Sequence, residues 1–534
     1  MRAGSRIDRN EFRNPGHDYR GVTLWMLNDE LDEAEMERQL RGFAEAGWGA
    51  VITRTFNGLR TPYLSKQWHR MVHRTIEVAG GLGMKVWLQA GYMPAGVPDL
   101  PGDEELQVIE RTPIGAGRDG AADAVTEDPA GTDDPAPAIL HRDGEHEYRV
   151  VGLPNVLDLL SREACARYVQ AAYTEPMAAE YASDLGRTVE TVWVDEPHFI
   201  PPAMPWSRTF ADDFNGRWGY DIRDELPSLF AEVGDYRKVR HHYWRTILDL
   251  LLGAYFHEVA SWCEEHGVLF SGHLMGEDTL QAQIGFTAAT MPCYEAMGLP
   301  GIDHLTRSLE WPADRRFIMT PKQCSSAAGQ LGKERVLAEM YGVSSQGLSF
   351  ADRKRIAEWM MMLGINERCI HGSFYSLRGR RKRIYAPHLS HQQPWWRENR
   401  FIADHFARFS WLMRRGDYVA DVLVLHPVES GFCVYDATQV TNRHDHVHEH
   451  PAGRKLTESL ITLAESLLAA HRGFDFGDET LIARHGSIEE GAFRVGQRRY
   501  RAVVVPDAIT VRSTTFELLH AFAASGGTIH VAGA

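Results

Sequence analysis

The amino-acid sequence predicts a (β/α)8 barrel followed by a small, doubly wound α/β domain. Apolar, strand-like runs alternate with amphipathic helical patterns along most of the chain, and this alternation is typical of a parallel sheet. Eight such units fill residues 15–415, near the upper end of the size range of these barrels. A second, shorter alternation occupies residues 416–534, so we expect two domains.

The barrel strands are predicted from short apolar runs, and the helices between them from capping residues and apolar spacing. After the first run, Asp32 is a suitable N-cap and Gly47 a suitable helix stop. Between them Met36, Leu40 and Phe43 share one helix face. By the same criteria, the predicted strands are residues 21–27, 50–56, 85–90, 188–194, 268–272, 290–294, 334–340 and 368–374.

Residues 101–150 interrupt this alternation. Their central segment, AGRDGAADAVTEDPAGTDDPAPA, is rich in Ala, Gly, Asp and Pro and has no periodicity. We therefore predict a mobile surface insertion with the composition of a disordered segment and no role in the chemistry.

The second domain is predicted from four more strand-like runs that alternate with helices over residues 454–471 and 514–525. These runs are residues 419–427, 473–478, 500–508 and 527–533. The pattern resembles a doubly wound sheet, but it contains neither a G-x-G-x-x-G turn nor a P-loop, so a nucleotide-binding role is unsupported. Because the sequence stops directly after a strand, we expect this domain to be incomplete at its C-terminus.

The composition excludes several classes of function. The formal net charge is −15, from 72 acidic and 57 basic residues, whereas contact with nucleic-acid phosphates needs an excess of Lys and Arg. The six cysteines are widely spread without a C-x-x-C pair, which argues against a zinc cluster or a disulfide framework. No apolar run reaches the roughly 20 residues of a membrane helix, and no secretory signal is visible. We expect a cytoplasmic protein.

Carboxylates near the predicted strand ends indicate glycosidic bond cleavage. Active sites of (β/α)8 barrels lie at the carboxyl ends of the strands, and glycosidases use one carboxyl as acid and another as nucleophile or base. Glu196 follows the fourth strand beside Asp195, whose charge favours a raised pKa, so we predict Glu196 as the acid. Glu339, in the seventh strand, is the predicted nucleophile or base. The separation of the two carboxyls would distinguish retention from inversion, which the sequence leaves open.

Further polar and aromatic residues near the strand ends are candidates for substrate binding. His273 and His371 suit hydrogen bonds to sugar hydroxyls or to the backbone, and Trp25 and Tyr294 suit either sugar stacking or the core. Glu277 or Glu295 could replace Glu339 in an inverting arrangement. The predicted substrate-binding residues are Trp25, Arg54, Asn57, Asp195, His273, Glu277, Tyr294, Glu295, His371 and Tyr375.

A basic run follows the eighth strand. In a chain of net charge −15, these side chains are expected to pair with an acidic rim or to contact an anionic sugar rather than nucleic acid. The run comprises Arg378, Arg380, Arg381, Lys382 and Arg383.

Several separated motifs, in one order, resemble large barrel glycosidases of the α-L-rhamnosidase family 106 type. The similarity covers most of residues 20–410, and several motifs together are more specific than any one of them. They are PYLSKQW (62–68), VWVDEP (192–197), GYDIRDELPSLF (219–230), FSGHLMGE (270–277), PGIDHL (300–305), PKQCSSAAGQLGKERVLAEMYG (321–342) and SLRGRRKRIYAP (376–387).

This resemblance implies a glycosidase acting on a terminal sugar, rhamnoside-like or galactoside-like, with the acid on Glu196 and the second carboxylate on Glu339. It implies a flavodoxin-like or glutamine-amidotransferase-like second domain, through which a homo-oligomer or a partner chain could assemble. The sequence itself requires no cofactor, whereas the family implies calcium near the active site. The segment LQAGYMPAG (88–96) departs from relatives that have an acidic, Trp-containing segment there, which implies a different sugar contact.

Two alternatives remain open at this point. One is another carbohydrate-active reaction, such as a lyase with His273 or Tyr294 as the base. The other is a non-catalytic sugar-binding barrel, for which the altered segment after the third strand is the support and the two retained carboxylates are the counter-argument.

Overall fold

The computed structural model describes residues 7–90, 104–114, 138–199, 204–307, 309, 315–383, 385–441 and 449–532. The first twelve strands are β1 (Val22–Leu27), β2 (Ala50–Thr55), β3 (Lys85–Gln89), β4 (Glu105–Pro113), β5 (Ala138–Arg142), β6 (His146–Leu157), β7 (Val189–Asp195), β8 (Met204–Trp206), β9 (Leu269–His273), β10 (Gly301–His304), β11 (Leu337–Met340) and β12 (Glu367–Phe374). None of the helices in these ranges is long and apolar enough to cross a membrane.

Eight of these strands form the predicted parallel barrel. The order is β10-β11-β12-β1-β2-β3-β7-β9, and every pairing between them is parallel. Between the two end strands, Leu299 N donates a hydrogen bond to Phe270 O at 3.0 Å, so the barrel is nearly closed. This architecture confirms the (β/α)8 prediction.

The predicted sixth strand, residues 290–294, is wrong. That segment begins helix α11 (Met291–Ala296), with Pro292 in its first turn, where proline needs no hydrogen bond from its nitrogen. The same proline would remove a donor from a central strand. The sixth barrel strand is β10, a four-residue element that contains Asp303 and His304 and lacks a long apolar run.

The helices pack outside the barrel strands. They are α1 (Arg9–Arg13), α2 (Glu33–Glu45), α3 (Lys66–Gly81), α4 (Arg162–Val169), α5 (Ala179–Tyr181), α6 (Phe210–Trp218), α7 (Leu226–Phe230), α8 (Tyr236–Leu251), α9 (His257–Glu265), α10 (Leu280–Thr287), α11, α12 (Met319–Gln330), α13 (Phe350–Met362) and α14 (Asn399–Met413). Residues Gln170–Ala178 and Leu252–Phe256 are π-helical and continue α4 and α8. Asp32 caps α2 as predicted, since its side chain accepts a hydrogen bond from Glu35 N at 2.9 Å.

Much of the predicted disordered insertion is ordered. Strands β4, β5 and β6, together with β8, form a four-stranded antiparallel sheet in the order β5-β6-β4-β8. The sequence VIERT in β4 pairs with HEYRVV in β6, and these β-branched and aromatic residues favour strands. The Ala-, Gly- and Asp-rich segment from 115 to 137 lies outside the described residues, as does most of 88–96.

The second domain contains a four-stranded parallel sheet in the order β14-β13-β18-β19 and a three-stranded antiparallel sheet of β15, β16 and β17. Its strands are β13 (Val422–Leu425), β14 (Phe474–Gly477), β15 (Gly486–Glu489), β16 (Ala492–Val495), β17 (Arg498–Tyr500), β18 (Ala502–Val505) and β19 (Thr528–Val531). Its helices are α15 (Val428–Val434), α16 (Ala437–Thr441), α17 (Pro451–Ala469), α18 (Glu479–His485) and α19 (Ser513–Ala524). Helix α15 packs on α8, where Arg240 Nη1 donates to Val434 O at 2.6 Å. The flavodoxin-like type and the incomplete C-terminus stay predictions.

Side chains of the barrel strands alternate between the barrel interior and the surrounding helices. The apolar interior includes Ile52, Trp193 and Leu337. Polar residues two positions further along the same strands have the same orientation and lie at the carboxyl end of the barrel; they are Arg54, Asp195 and Glu339.

Candidate active site

Charged residues from strands β7, β9, β10 and β11 meet at the carboxyl end of the barrel. Asp195, the last residue of β7, is paired in register with His273, the last residue of β9. Asp303 on β10 is paired in register with Glu339 on β11. Residues paired in register point to the same side of a sheet, so the alternation within each strand brings these side chains together.

His273 connects the carboxylates. Its Nε2 donates to Glu339 Oε2 at 2.9 Å and lies 3.4 Å from Asp195 Oδ1. The Arg54 guanidinium of β2 forms an ion pair with Asp195 from the other side. Burial acts to lower the pKa of His273, but Glu339, Asp303 and Asp195 outweigh it and raise the pKa well above its usual value. His273 is therefore positively charged at neutral pH.

Glu196 has the properties of a general acid. Burial, together with the charges of Asp195 and Glu339, raises its pKa to about 7 against the opposing charges of His273 and Arg54. Its backbone φ of 49° lies in the left-handed region, which is uncommon for a residue with a side chain. At neutral pH this carboxyl holds a proton for about half of the time, as a proton donor requires.

Glu339 has the opposite properties. Burial acts to raise its pKa, but the hydrogen bond and charge of His273, assisted by His371 and Arg54, lower the pKa below its usual value. Glu339 is thus held as an anion that can attack or accept a proton. Two carboxyls around one imidazolium therefore have pKa values displaced in opposite directions, which is the arrangement that separates acid from base.

Asp303 was missed by the sequence analysis because its strand was assigned to the wrong segment. Burial and then the charge of Glu339 raise the pKa of Asp303 well above its usual range. The string PGIDHL (300–305), noted above only as a family motif, was the signal that could have placed it. Gln89 was also missed: its side-chain amide on β3 is buried and has no hydrogen-bond partner among the described residues.

Glu277 and Tyr294 form a buried pair next to this cluster. The Tyr294 hydroxyl donates to Glu277 Oε1 at 2.5 Å, and Asp303 N donates to Glu277 Oε2 at 3.4 Å. Burial raises the pKa of Glu277 to about 8. Tyr294 is fully buried, so it has no exposed face for sugar stacking and supports Glu277 instead.

Three predicted substrate-binding residues lie elsewhere. Trp25 is fully buried on the helix side of β1, where its indole N–H donates to Gln39 Oε1 at 2.8 Å. The Tyr375 hydroxyl accepts a hydrogen bond from Asp32 N at 2.9 Å and so positions α2. Glu295, on α11 rather than at a strand end, pairs with Arg484 and His485 of the second domain.

Two others lie at the mouth. His371 on β12 is buried, and burial lowers its pKa below the usual value, while the nearby charge of Glu339 opposes this shift. Asn57 is exposed in the loop after β2. The structure therefore assembles Arg54, Asp195, Glu196, His273, Glu277, Asp303, Glu339 and His371 around one end of the barrel.

The residues of the cluster do not match a calcium site. Two sets of three groups have donor atoms within 4.8 Å of one another, Asp195 with His273 and Glu339, and Glu196 with His273 and Asp303. Calcium takes six to eight oxygen ligands, whereas both sets depend on the nitrogen of a charged histidine, and Asp195 already pairs with Arg54. Within the described residues we therefore assign no step to a metal, and calcium binding stays untested.

Comparison with solved structures shows relatives of the same fold. One is a rhamnosidase from Novosphingobium sp. PP1Y, with a TM-score of 0.70 at 14% identity over 97% of this chain and 69% of that chain. A beta-galactosidase from the psychrophilic Marinomonas ef1 has a TM-score of 0.59 at 12% identity over 96% of this chain and 75% of that chain. At these identities the likeness shows the shared fold.

Sequence comparison is more specific. A protein of Formosa agariphila with the provisional name beta-glucuronidase is 24% identical over 277 residues, which are 50% of this chain and 22% of that protein. The chain thus spans less than a quarter of the length of this relative. The family model described as alpha-L-rhamnosidase matches residues 152–533, well over half of the sequence. The chain therefore belongs to the alpha-L-rhamnosidase family, family 106 of the glycoside hydrolases.

Proposed function

We propose that this protein hydrolyses a terminal glycosidic bond, rhamnoside-like or galactoside-like, with Glu196 as the acid and Glu339 as the nucleophile or base. The observation that carries the proposal is the opposite displacement of two neighbouring pKa values, raised to about 7 for Glu196 and lowered for Glu339. Family membership supports a glycosidase, and the names of the relatives support a rhamnoside or galactoside substrate.

Each residue of the cluster has a distinct part in this reaction. Protonated Glu196 donates its proton to the leaving oxygen as the glycosidic bond breaks. Glu339, kept anionic by His273, attacks the anomeric carbon or deprotonates the attacking water. Arg54 neutralises Asp195, which limits the negative charge next to Glu196, and Asp303 and His371 can hydrogen-bond to sugar hydroxyls.

For the second domain we propose a fold type but no chemical role. Its parallel strands lie in the order 2-1-3-4 of their sequence, which matches the first strands of a flavodoxin-like sheet. We infer a flavodoxin-like domain that packs on α8 and could carry an interface with a second chain.

The proposal is tested on glycosides with good and poor leaving groups. The wild type is first screened on a panel of nitrophenyl glycosides, with and without added calcium, and turnover of a rhamnoside or galactoside is expected. Glu196→Gln should then lose about 10²- to 10⁴-fold in kcat/KM on the matching methyl glycoside and far less on the nitrophenyl glycoside, because nitrophenolate leaves without a proton.

The matched control is Glu295→Gln. Glu295 is a carboxylate outside the cluster that pairs with the second domain, so its change should leave both rates within a few-fold of wild type. If Glu196→Gln hydrolyses the methyl glycoside at the wild-type rate, the assignment of Glu196 as the acid is wrong. Sugar binding without turnover across the whole panel would identify a non-catalytic barrel.

A further inference from the structure

The loop after β12 is fastened across one side of the barrel mouth. The Arg381 guanidinium donates to the carbonyl oxygens of Asn28 and Gly58, the latter at 2.8 Å, which ties this loop to the loops after β1 and β2. Arg378 Nη2 donates to Asp29 Oδ1 at 2.8 Å, and Arg381 Nη2 to the same oxygen at 3.1 Å. Two members of the basic run therefore have a structural role, as one of the two interpretations of this run predicts.

The remaining members of the run are not used in this way. The side chains of Arg380, Lys382 and Arg383 are exposed and form no ion pair with any residue in the described part of the chain. Asp29, which could have neutralised them, already pairs with Arg378 and Arg381. Glu30, the residue after Asp29, is exposed, and no ion pair joins it to these three cations in the described part of the chain.

An exposed aromatic residue follows the basic run and contacts a histidine of the barrel mouth. Tyr385 is 55% exposed, and its ring packs edge-on against His371 at 6.5 Å and against Phe56 at 6.3 Å. His371 in turn interacts electrostatically with Glu339. A half-exposed tyrosine at the edge of a sugar site offers a face for the C–H groups of a sugar ring.

We propose that Tyr385, Arg380, Lys382 and Arg383 form an outer subsite for an anionic sugar residue of the glycan whose terminal sugar is cleaved. The tyrosine supplies the stacking face, and the three side chains attract a carboxylate or a sulfate group through charges that no described residue pairs with. This inference rests on the proposed glycosidase function, since it assigns the substrate class of the same site.

The subsite is tested by binding rather than by hydrolysis. The full-length protein is titrated at low salt with polygalacturonate, with a sulfated galactan and with a neutral galactan, by affinity electrophoresis. The wild type should bind at least one polyanion more tightly than the neutral chain, and the preference should fall as salt rises. Binding of polygalacturonate assigns a carboxylate, and binding of the sulfated galactan alone assigns a sulfate.

A triple variant and a charge-matched control locate the binding. Arg380→Gln/Lys382→Gln/Arg383→Gln should weaken polyanion binding about tenfold, the sum expected from three exposed charge contacts. The control, Arg472→Gln/Arg499→Gln/Arg501→Gln, removes the same charge from exposed positions of the second domain and should bind as the wild type does. Tyr385→Ala should weaken binding of the preferred chain by a few-fold and leave the salt dependence unchanged.

The outcomes separate this inference from the proposed function. Equal losses in the triple variant and its control, or no wild-type preference for either polyanion, would overturn the subsite. Loss of binding in the triple variant alone supports it, whatever the nitrophenyl panel shows. If no nitrophenyl glycoside is hydrolysed, the proposed reaction is contradicted but the subsite is not, because polyanion binding is measured without turnover.

Discussion

Two clusters of buried ionisable side chains in this protein differ in their proportion of carboxyls to cations. At the interface between the domains, Glu429 pairs with His241 at 2.8 Å, with Arg245 at 3.5 Å and with Arg512. Burial acts to raise the pKa of Glu429, but these cations outweigh it and lower the pKa to about 2. At the barrel mouth, carboxyls outnumber cations, with Arg54 and His273 facing Asp195, Glu196, Glu277, Asp303 and Glu339.

The comparison shows what distinguishes a site from a structural ion network. A raised pKa alone does not, because burial also raises the pKa of Glu479 to about 7. That carboxyl is buried within the second domain, where it accepts a hydrogen bond from Arg512 N. At the mouth, two carboxyls with oppositely displaced pKa values flank one imidazolium at strand ends, which is a proton-transfer arrangement.

The largest effect expected from this contrast is that of Glu339→Gln. The change removes the anion that His273 maintains, so kcat/KM on the best nitrophenyl glycoside should fall by about 10³-fold or more. The apparent Tm should remain within a few degrees of wild type, because carboxyls outnumber cations at the mouth and Asp195 remains to pair with His273. Steady-state kinetics and a thermal melt measure the two quantities. If Glu339→Gln keeps the wild-type rate, Glu339 is not the nucleophile or base, and Glu277 would be assigned that role.

For Glu429→Gln, in the interface between the domains, we expect a loss of stability and little change in the reaction rate. Removing one member of a buried charge network leaves Arg512, Arg245 and His241 without their anion and costs about 3–5 kcal/mol of folding free energy. The kcat/KM measured below the melting temperature should stay within a few-fold of wild type. If the variant does not fold, Arg245→Gln, which removes the longest of the three pairs, provides the milder test. A large rate loss at unchanged Tm would contradict the separation of the two clusters.

The smallest effects concern the pH dependence of stability, which has opposite signs in the two clusters. Glu429 has a folded pKa of about 2, below its usual 4.5, so its stabilisation is complete above about pH 5 and is lost as the pH falls. Glu196 has a folded pKa of about 7, so its contribution is largest below about pH 4 and declines as the pH rises to 7. Each contribution is at most about 3 kcal/mol.

Thermal melts at pH 4 and pH 8 measure these contributions. Relative to wild type, Glu196→Gln should be more stable at pH 8 than at pH 4, because the amide cannot ionise. Glu429→Gln should lose more stability at pH 8 than at pH 4. Parallel pH profiles for the two variants would contradict the opposite shifts of their carboxyls.

The fold was predictable where the sequence had strong local signals. Seven of the eight barrel strands lie within a few residues of the predicted runs, because long buried strands are continuous apolar stretches. The failures are short or polar elements. Strand β10 has four residues, and the antiparallel sheet of β4, β5, β6 and β8 lies around a segment whose composition resembles disorder.

The sequence by itself determined the alternation of strands and helices, the family motifs and the placement of Asp195, Glu196, His273 and Glu339 near strand ends, because these are local properties. Tertiary structure decided which face of each strand points inward. Trp25 pairs in register with Thr53, one residue before Arg54, so it faces the helices while Arg54 faces the mouth. In a strand that is apolar on both sides, nothing local distinguishes the two faces. Only the pairing of neighbouring strands orients them, and it brought Asp303 to Glu339 and left Glu295 at the domain interface.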